Sequence, residues 1–285
     1  MFLRGTHLES YLPLGGAYPD EEVVSGGPFP IELAQSNPTD MRFDLRFFLV
    51  ALLATPTTVA AQDPAPKPPK RLEFTGDISF VNTTGNTTIT TMGGAERLIY
   101  RPDTKWMFTQ GAKVIYGTSS GDVNAENYYT GLRVDYALST RTGAYALMAF
   151  DRNVFSGIAA RYEYSAGLVA KVWDAPKDKL QIEAGIARIN QRATTDTIAK
   201  FFSARTAVVY RHNFSAASYL DQKVEILPNL QEATDLRLLS LTSLVAPVSS
   251  HIGLKASYQV RWDGLPQPGF QETDTEFRTG IQVTF

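Results

Sequence analysis

Few residues of this chain have the chemistry of a catalytic centre. It contains no cysteine, and of its three histidines only His212 and His251 lie beyond the first sixty residues. Acyl transfer or hydrolysis would need one of them beside a serine or a carboxylate. No paired carboxylates and no phosphate-binding glycine loop stand at a recognisable spacing. The sequence therefore predicts no catalytic residue and no cofactor.

Two other kinds of site are weakly supported. The segment with Asp122, Asn124, Glu126 and Asn127 offers oxygen ligands for a hard cation. A solvated loop explains these residues equally well, so no metal site is predicted. The net charge of -2 gives no sign of the basic surface that a nucleic-acid-binding protein needs.

Charged side chains of both signs instead recur at alternate positions within apolar stretches. Opposite charges placed in this way can form ion pairs that fill a polar interior. They can also line a narrow conduit that selects small solutes by charge. The sequence leaves both alternatives open. The residues concerned are Lys113, Arg133, Asp135, Arg161, Glu163, Arg205, Lys255 and Arg278.

The elements that carry these charges are strands, because apolar and polar residues alternate with a period of two. No run reaches the roughly 20 apolar residues of a membrane helix. An even strand count places both termini on one side of a closed barrel. The sequence predicts twelve strands, near residues 72–80, 88–100, 106–116, 128–138, 143–151, 162–172, 180–186, 202–210, 220–226, 236–244, 252–262 and 275–285.

The last strand distinguishes a barrel from a soluble sandwich. Its apolar face contains Phe277, Ile281, Val283 and Phe285. As a free edge it would invite aggregation, whereas a closed barrel pairs it with the first strand. A terminal strand that ends in Phe also resembles the assembly signal of bacterial outer-membrane barrels. The alternative is the edge strand of a soluble sandwich.

Connections and aromatic residues favour the barrel. Tight connections near 101–104, 139–142, 174–178, 213–217 and 246–250 alternate with longer ones near 82–87, 117–126, 152–157, 191–199, 228–234 and 263–272. This asymmetry is typical of outer-membrane barrels. Trp106 and Tyr116 lie ten residues apart on one face, which corresponds to about 25 Å of height. The predicted interface aromatics are Trp106, Tyr116, Tyr128, Tyr136, Tyr210 and Trp262.

The segment before the barrel has the layout of an export signal. Residues 41–61 combine Arg42 and Arg46 with a short apolar run and small residues before a cut. We predict that translation starts at Met41 and that residues 1–40 are an upstream over-reading. The alternative is a genuine disordered extension. Residues 62–70 form a proline-rich linker, and residues 71–285 form the barrel.

Two segments resemble a known family. The run Gly76–Phe80 leading to Thr84-Gly85-Asn86-Thr87 is similar to the opening of the salt-induced outer membrane proteins (YdiY-like). So is Asp151–Ile158, followed by Arg161 and Gly167. Where the family has a small-residue pair around Gly-Asn, this chain has threonines. The resemblance implies an outer-membrane barrel over residues 71–285 and brings no catalytic residues with it.

Taken together, the sequence predicts an all-β, closed antiparallel transmembrane barrel that a Sec signal directs to the bacterial outer membrane. We expect a passive pore for small solutes or ions, or a closed envelope protein linked to salt or osmotic stress. A barrel that binds partners through loop aromatics at 151–155 and 265–270 is the alternative, and an enzyme ranks third. Expected partners are outer-membrane lipid and, during biogenesis, periplasmic chaperones and the barrel-assembly machinery. A monomer is assumed.

The terminal strand yields a prediction about assembly. Phe285→Asp should leave the protein in the periplasm, because a charge would replace the terminal aromatic of the signal. Fractionation of cells that express the variant measures this. Normal insertion of the variant into the outer membrane would contradict the assembly-signal hypothesis.

Overall fold

The computed structural model describes residues 70–85, 89–119 and 122–285. The predicted start site, signal peptide and nearly all of the linker lie outside this part of the chain. The described residues form twelve antiparallel strands that close into one barrel, which confirms the predicted fold and strand count. The strands are β1 Leu72–Thr84, β2 Ile89–Tyr100, β3 Trp106–Ser119, β4 Asp122–Ala137, β5 Thr142–Asn153, β6 Ile158–Asp174, β7 Asp178–Ala193, β8 Ile198–Asn213, β9 Tyr219–Pro228, β10 Leu236–Pro247, β11 Ile252–Asp263 and β12 Thr273–Thr284.

A short 3-10 turn at Val154–Ser156 is the one helical element that interrupts the strand order of these residues. Among them, no helix has both the length and the apolar character that a membrane span requires.

The barrel closes between its first and last strands. β1 and β12 pair from Thr75 opposite Thr284 to Thr84 opposite Thr275. At the terminus, the Phe285 N–H donates to the Phe74 carbonyl at 2.9 Å, and the Phe74 N–H donates to the Phe285 carbonyl at 3.2 Å. Every strand therefore has two neighbours, so the sheet has no edge strand. The ladder between β8 and β9 covers only Thr206–Asn213 of β8.

Alternation along each strand gives the barrel an apolar outside and a mostly polar inside. On β1, Ile78 and Phe80 point outward and are 67% and 64% exposed, whereas Val81 is fully buried in the interior. Val81 packs there against Ile115 of β3. An apolar surface that is exposed around the whole wall is what a lipid-facing barrel presents.

Side-chain acceptors hold the turns at the predicted periplasmic end. The Asp103 carboxylate accepts hydrogen bonds from the backbone N–H groups of Lys105 and Trp106 at 2.7 and 2.8 Å. These bonds lower the pKa of Asp103. Ser139, Ser215 and Ser249 each accept two backbone N–H groups in the same way in other turns. Four of the five turns at this end are thus closed by a short polar side chain.

The opposite end differs from the prediction in two places. β3 runs to Ser119, and β4 begins at Asp122. Likewise, β7 runs to Ala193, and β8 begins at Ile198. The segments 117–126 and 191–199, predicted as loops, are therefore mostly strand. Polar residues on both faces hide the period of two there, although the backbone pairing continues. These two hairpins therefore extend beyond the predicted strand ends.

The outer surface yields a prediction about depth. Leu132 and Leu138 lie on the same face of the β4 segment, 46% and 58% exposed, with Tyr136 of the aromatic belt between them. Leu132→Arg should reduce the free energy of unfolding by about 2–4 kcal/mol, because it places a charge within the apolar band. Leu138→Arg, beyond the belt, should cost about 0–1 kcal/mol. Urea unfolding of both variants in lipid vesicles measures the difference. Equal losses would contradict the assigned position of the band.

Candidate functional site: the charged interior of the barrel

One buried arginine organises one side of the interior. Arg205 of β8 is 1% exposed. Its guanidinium donates to Glu183 of β7 at 2.7 Å, to Glu225 of β9 at 2.6 Å and to the Tyr145 hydroxyl of β5 at 2.9 Å. Both carboxylates and the phenol thus bind the terminal nitrogens of a cation that has almost no access to water. The Arg205 Nε makes no hydrogen bond and lies 3.7 Å from the Glu163 carboxylate.

The position of Tyr145 depends on two glycines. Gly167 of β6 and Gly185 of β7 pair directly with each other. A Cβ atom at Gly185 would lie 2.7 Å from the Tyr145 hydroxyl, and one at Gly167 would lie 2.8 Å from the Tyr145 ring. The absence of side chains here lets the ring lie against the barrel wall, where its hydroxyl reaches Arg205.

A second arginine extends this network across the interior. Arg133 of β4 donates to Glu183 at 3.0 Å and to Asp135 at 2.7 Å. Its guanidinium also lies 4.5 Å from the centre of the Tyr145 ring. Since β4 and β7 are separated by two strands, the Arg133–Glu183 contact spans the interior above β5 and β6. We call Arg133, Tyr145, Glu183, Arg205 and Glu225 the Arg205 cluster.

A further ion pair joins opposite walls. Arg261 of β11 lies 3.3 Å from the Asp151 carboxylate of β5. These strands are six positions apart in either direction around the barrel, so the contact crosses the whole lumen. Arg161 of β6 lies 3.9 Å from the same carboxylate oxygen and donates to Gln191 at 2.8 Å. Asp151, Arg161 and Arg261 form what we call the cross-lumen bridge.

Other charges pair across shorter spans. Lys113 of β3 lies 3.2 Å from Glu276 of β12, which also pairs with Arg278 at 3.0 Å. Lys255 of β11 lies 2.6 Å from Asp77 of β1. The interior charges are therefore largely neutralised in pairs, as desolvated ions must be.

A cavity of about 710 Å³ remains between these pairs. All twelve strands contribute side chains to its lining. It extends from Lys179, Arg211 and Asp221 near the periplasmic end to Trp262 and Asp263 near the other end. The interior is therefore neither an empty pore nor a solid core.

Two connections meet at the outer mouth. The Ser156 hydroxyl of the 3-10 turn donates to Asp274 of β12 at 2.6 Å and accepts from the Asn153 amide at 2.6 Å. Gly157 follows with φ of 75°, and a Cβ there would lie 3.1 Å from the Phe270 ring. The connection after β5 is thus held against β12 and against Phe270 of the β11–β12 connection.

The structure places the eight predicted lumen charges inside the barrel. Each has an opposite charge within 4 Å. Prediction from sequence missed Tyr145 and Asp151, which lie on β5, where alanines blur the alternation. The two glycines at 167 and 185 could have indicated space for a large inward side chain such as Tyr145. The sequence does not show that they pair, however, because their pairing depends on the register of β6 and β7.

Five of the predicted interface residues lie on the outer face, whereas Trp262 also lines the outer end of the cavity. The rings of Trp106 and Tyr136 pack with centroids 4.7 Å apart near the periplasmic end, where the Tyr210 hydroxyl donates to Asp178 at 2.7 Å. Tyr116, Tyr128 and Trp262 lie toward the other end. In the predicted assembly signal, Phe277, Ile281 and Phe285 are exposed and Val283 is half-buried.

Both histidines lie at the predicted periplasmic end. The His212 Nδ1 is 2.7 Å from the Asp178 carboxylate, and His251 Nδ1 is 2.8 Å from the Ser250 hydroxyl. Within the residues that the structure describes, no group of three or more His, Asp or Glu side chains is arranged to hold a metal ion.

The closed wall, the apolar outer face and the polar interior define an outer-membrane type of β-barrel. The chain belongs to the DUF481 family, described as a protein of unknown function, whose model matches residues 76–285. The resemblance to the YdiY-like family is thereby confirmed. Among curated protein sequences, none matches this chain.

Solved structures share the fold at low sequence identity. A NanC porin superposes with a TM-score of 0.51 at 9% identity, covering 73% of this chain and 98% of the porin. The translocator domain of the autotransporter NalP from Neisseria meningitidis gives 0.47 at 10% identity, with 76% and 90% coverage. An anion-selective porin from Comamonas acidovorans gives 0.40 at 10% identity, with 75% and 98% coverage. The first of these supports the barrel architecture alone.

The Arg205 cluster yields a prediction about stability. Arg205→Met should lower the free energy of unfolding by about 3–5 kcal/mol, because the buried Glu183 and Glu225 lose the cation that they share and keep only Arg133 and Lys223 as partners. Adding Glu225→Gln should restore part of the loss, since Glu183 keeps Arg133. Unfolding in urea, followed by tryptophan fluorescence, measures both variants. If Glu225→Gln instead adds a further loss of stability to that of Arg205→Met, the buried charges are not coupled.

Proposed function

We propose that this barrel is a narrow, water-filled channel that lets small charged solutes cross the outer membrane. The observation that carries the proposal is the cross-lumen bridge within a cavity that all twelve strands line. A cavity of about 710 Å³ has room for roughly 20 water molecules. Its lining is charged, so it suits water and ions better than apolar molecules.

The two ion-pair networks have different roles in this proposal. Four members of the Arg205 cluster are buried and Arg133 is 20% exposed, and together they fill the side of the lumen next to β4–β9. The cross-lumen bridge instead borders the cavity, where its three side chains are 12–23% exposed. Passage is therefore confined to the space beside the bridge, which restricts it to small solutes.

Charge in the lumen supports selection by sign. Arg97 of β2 lines the cavity and is exposed to it. Among the described residues no carboxylate pairs with it. Acidic residues such as Asp221 and Asp263 line the same cavity. Since both signs are present, single charge changes at the bridge should alter which ion passes more readily.

The other expectations from the sequence are supported to different degrees. A solved barrel of similar architecture is named a porin, which is consistent with a channel. Location in the outer membrane and export by the Sec signal follow from the same proposal. The link to salt or osmotic stress stays a prediction. Binding through loop aromatics is less favoured, because Phe270 packs at Gly157 in the mouth and is half-buried.

The cross-lumen bridge yields a prediction about ion selectivity. In planar bilayers with a salt gradient, Asp151→Asn should shift the reversal potential toward anions, because it removes a negative charge. Arg261→Gln should shift it toward cations and raise the conductance, because the side chain that spans the lumen is shortened. Single-channel recording measures both quantities.

Asp196→Asn is the matched control. Asp196 lies in the β7–β8 turn with φ of 61°, a conformation that Asn also tolerates, and it does not line the cavity. Its removal should change neither quantity. Wild-type protein that inserts but conducts nothing would overturn the channel proposal and favour a closed envelope barrel.

A further inference from the structure

Three basic side chains stand together on the outside of the barrel, at the outer ends of β7 and β8. Arg188 is paired with Phe202, and Arg192 with Ile198, across these strands. Phe202 and Ile198 are 44% and 64% exposed on the outer face. Lys200 lies between them on the same face and is exposed. We call Arg188, Arg192 and Lys200 the outer basic patch.

The register places these charges close to one another. Lys200 pairs with Asn190, so Arg188 and Arg192 are its two diagonal neighbours on β7. Diagonal neighbours in an antiparallel pair lie about 7–8 Å apart. A single multivalent anion can therefore contact all three.

The patch differs from the interior in its lack of counter-charges. In the part of the chain that the structure describes, none of the three cations has a carboxylate at ion-pair distance. The Arg188 guanidinium lies over the Phe202 ring, 4.8 Å from its centre. The contact holds this cation at the surface without neutralising it.

The position of the outer basic patch along the barrel shows which residues surround it. Tyr162 and Tyr164 of β6 are 45% and 46% exposed beside it, and Tyr164 pairs with Arg188. Arg192 lies four residues beyond Arg188 along β7, which corresponds to about 10 Å along the membrane normal. Below Arg188, Ile186 is 49% exposed. Cations thus stand directly above an apolar and aromatic strip.

We propose that the outer basic patch binds the phosphate groups of a phosphorylated lipid in the outer leaflet, whose acyl chains cover Ile186, Tyr164 and Phe202. The apolar strip favours a lipid over a soluble anion, because a soluble anion would leave that strip unused. The proposal goes beyond channel function and requires only that the β7–β8 turn faces outward.

The test compares binding of two lipids to the purified barrel. The probes are lipid A with its phosphates and dephosphorylated lipid A, titrated into detergent-solubilised protein and followed by native mass spectrometry. Replacing Arg188, Arg192 and Lys200 together by Gln should weaken binding of the phosphorylated lipid by about a hundredfold. Binding of the dephosphorylated lipid should be weak and unchanged.

A matched control removes the same charge from the other end. Replacing Arg71, Arg141 and Lys177 by Gln changes three exposed cations near the periplasmic turns and should leave the affinity unchanged. Heat-dependent gel migration checks folding. If the triple variant of the patch does not fold, Lys200→Gln alone should still weaken binding about fivefold.

Three outcomes would overturn the proposal. The first is that the phosphorylated lipid binds the triple variant of the patch as tightly as it binds the wild-type protein. An equal loss in the periplasmic control would reduce the effect to net charge. Full competition by inorganic pyrophosphate at the affinity of the lipid would make the patch a site for soluble phosphate. Channel recordings are independent of each result.

Discussion

Hydrogen bonding between the first and last strands is the constraint on which the rest of this structure depends. In a hydrocarbon medium an unpaired strand edge leaves backbone groups without partners. The β1–β12 ladder removes that edge, and the reciprocal bonds between Phe74 and Phe285 extend it to the last residue. Once the sheet is closed, the period of two along each strand assigns every side chain either to the lipid or to the lumen.

Closure also determines the character of the interior. Polar side chains on twelve strands face one another across a short distance and must satisfy their charges there. They do so in two ways: the Arg205 cluster is buried against the wall that Gly167 and Gly185 keep flat, whereas Asp151 and Arg261 meet across the lumen beside a cavity. A filled side and a cavity within one barrel support the proposed narrow channel.

Prediction from sequence succeeded where a local pattern decides the outcome. The strands, their inner and outer faces and the pairing of Phe285 at closure follow from alternation and from the need to remove an edge. The Arg133–Glu183 and Asp151–Arg261 contacts could not be predicted, because they depend on the stagger between strands that are far apart in sequence. The outer halves of β7 and β8 were missed because Arg188, Arg192 and Lys200 make the lipid side polar there.

The central claim is that water occupies the lumen beside the Arg205 cluster. The chain has no cysteine, so single cysteines report cleanly on access by a water-soluble thiol reagent. We would compare Leu241→Cys, which lines the cavity, with Ile186→Cys on the lipid face and Ala207→Cys, 1% exposed beside Arg205. In proteoliposomes, rapid reaction at 241 and slow reaction at 186 and 207 is the predicted result. Protection of all three positions would show that the interior is filled and would contradict the account.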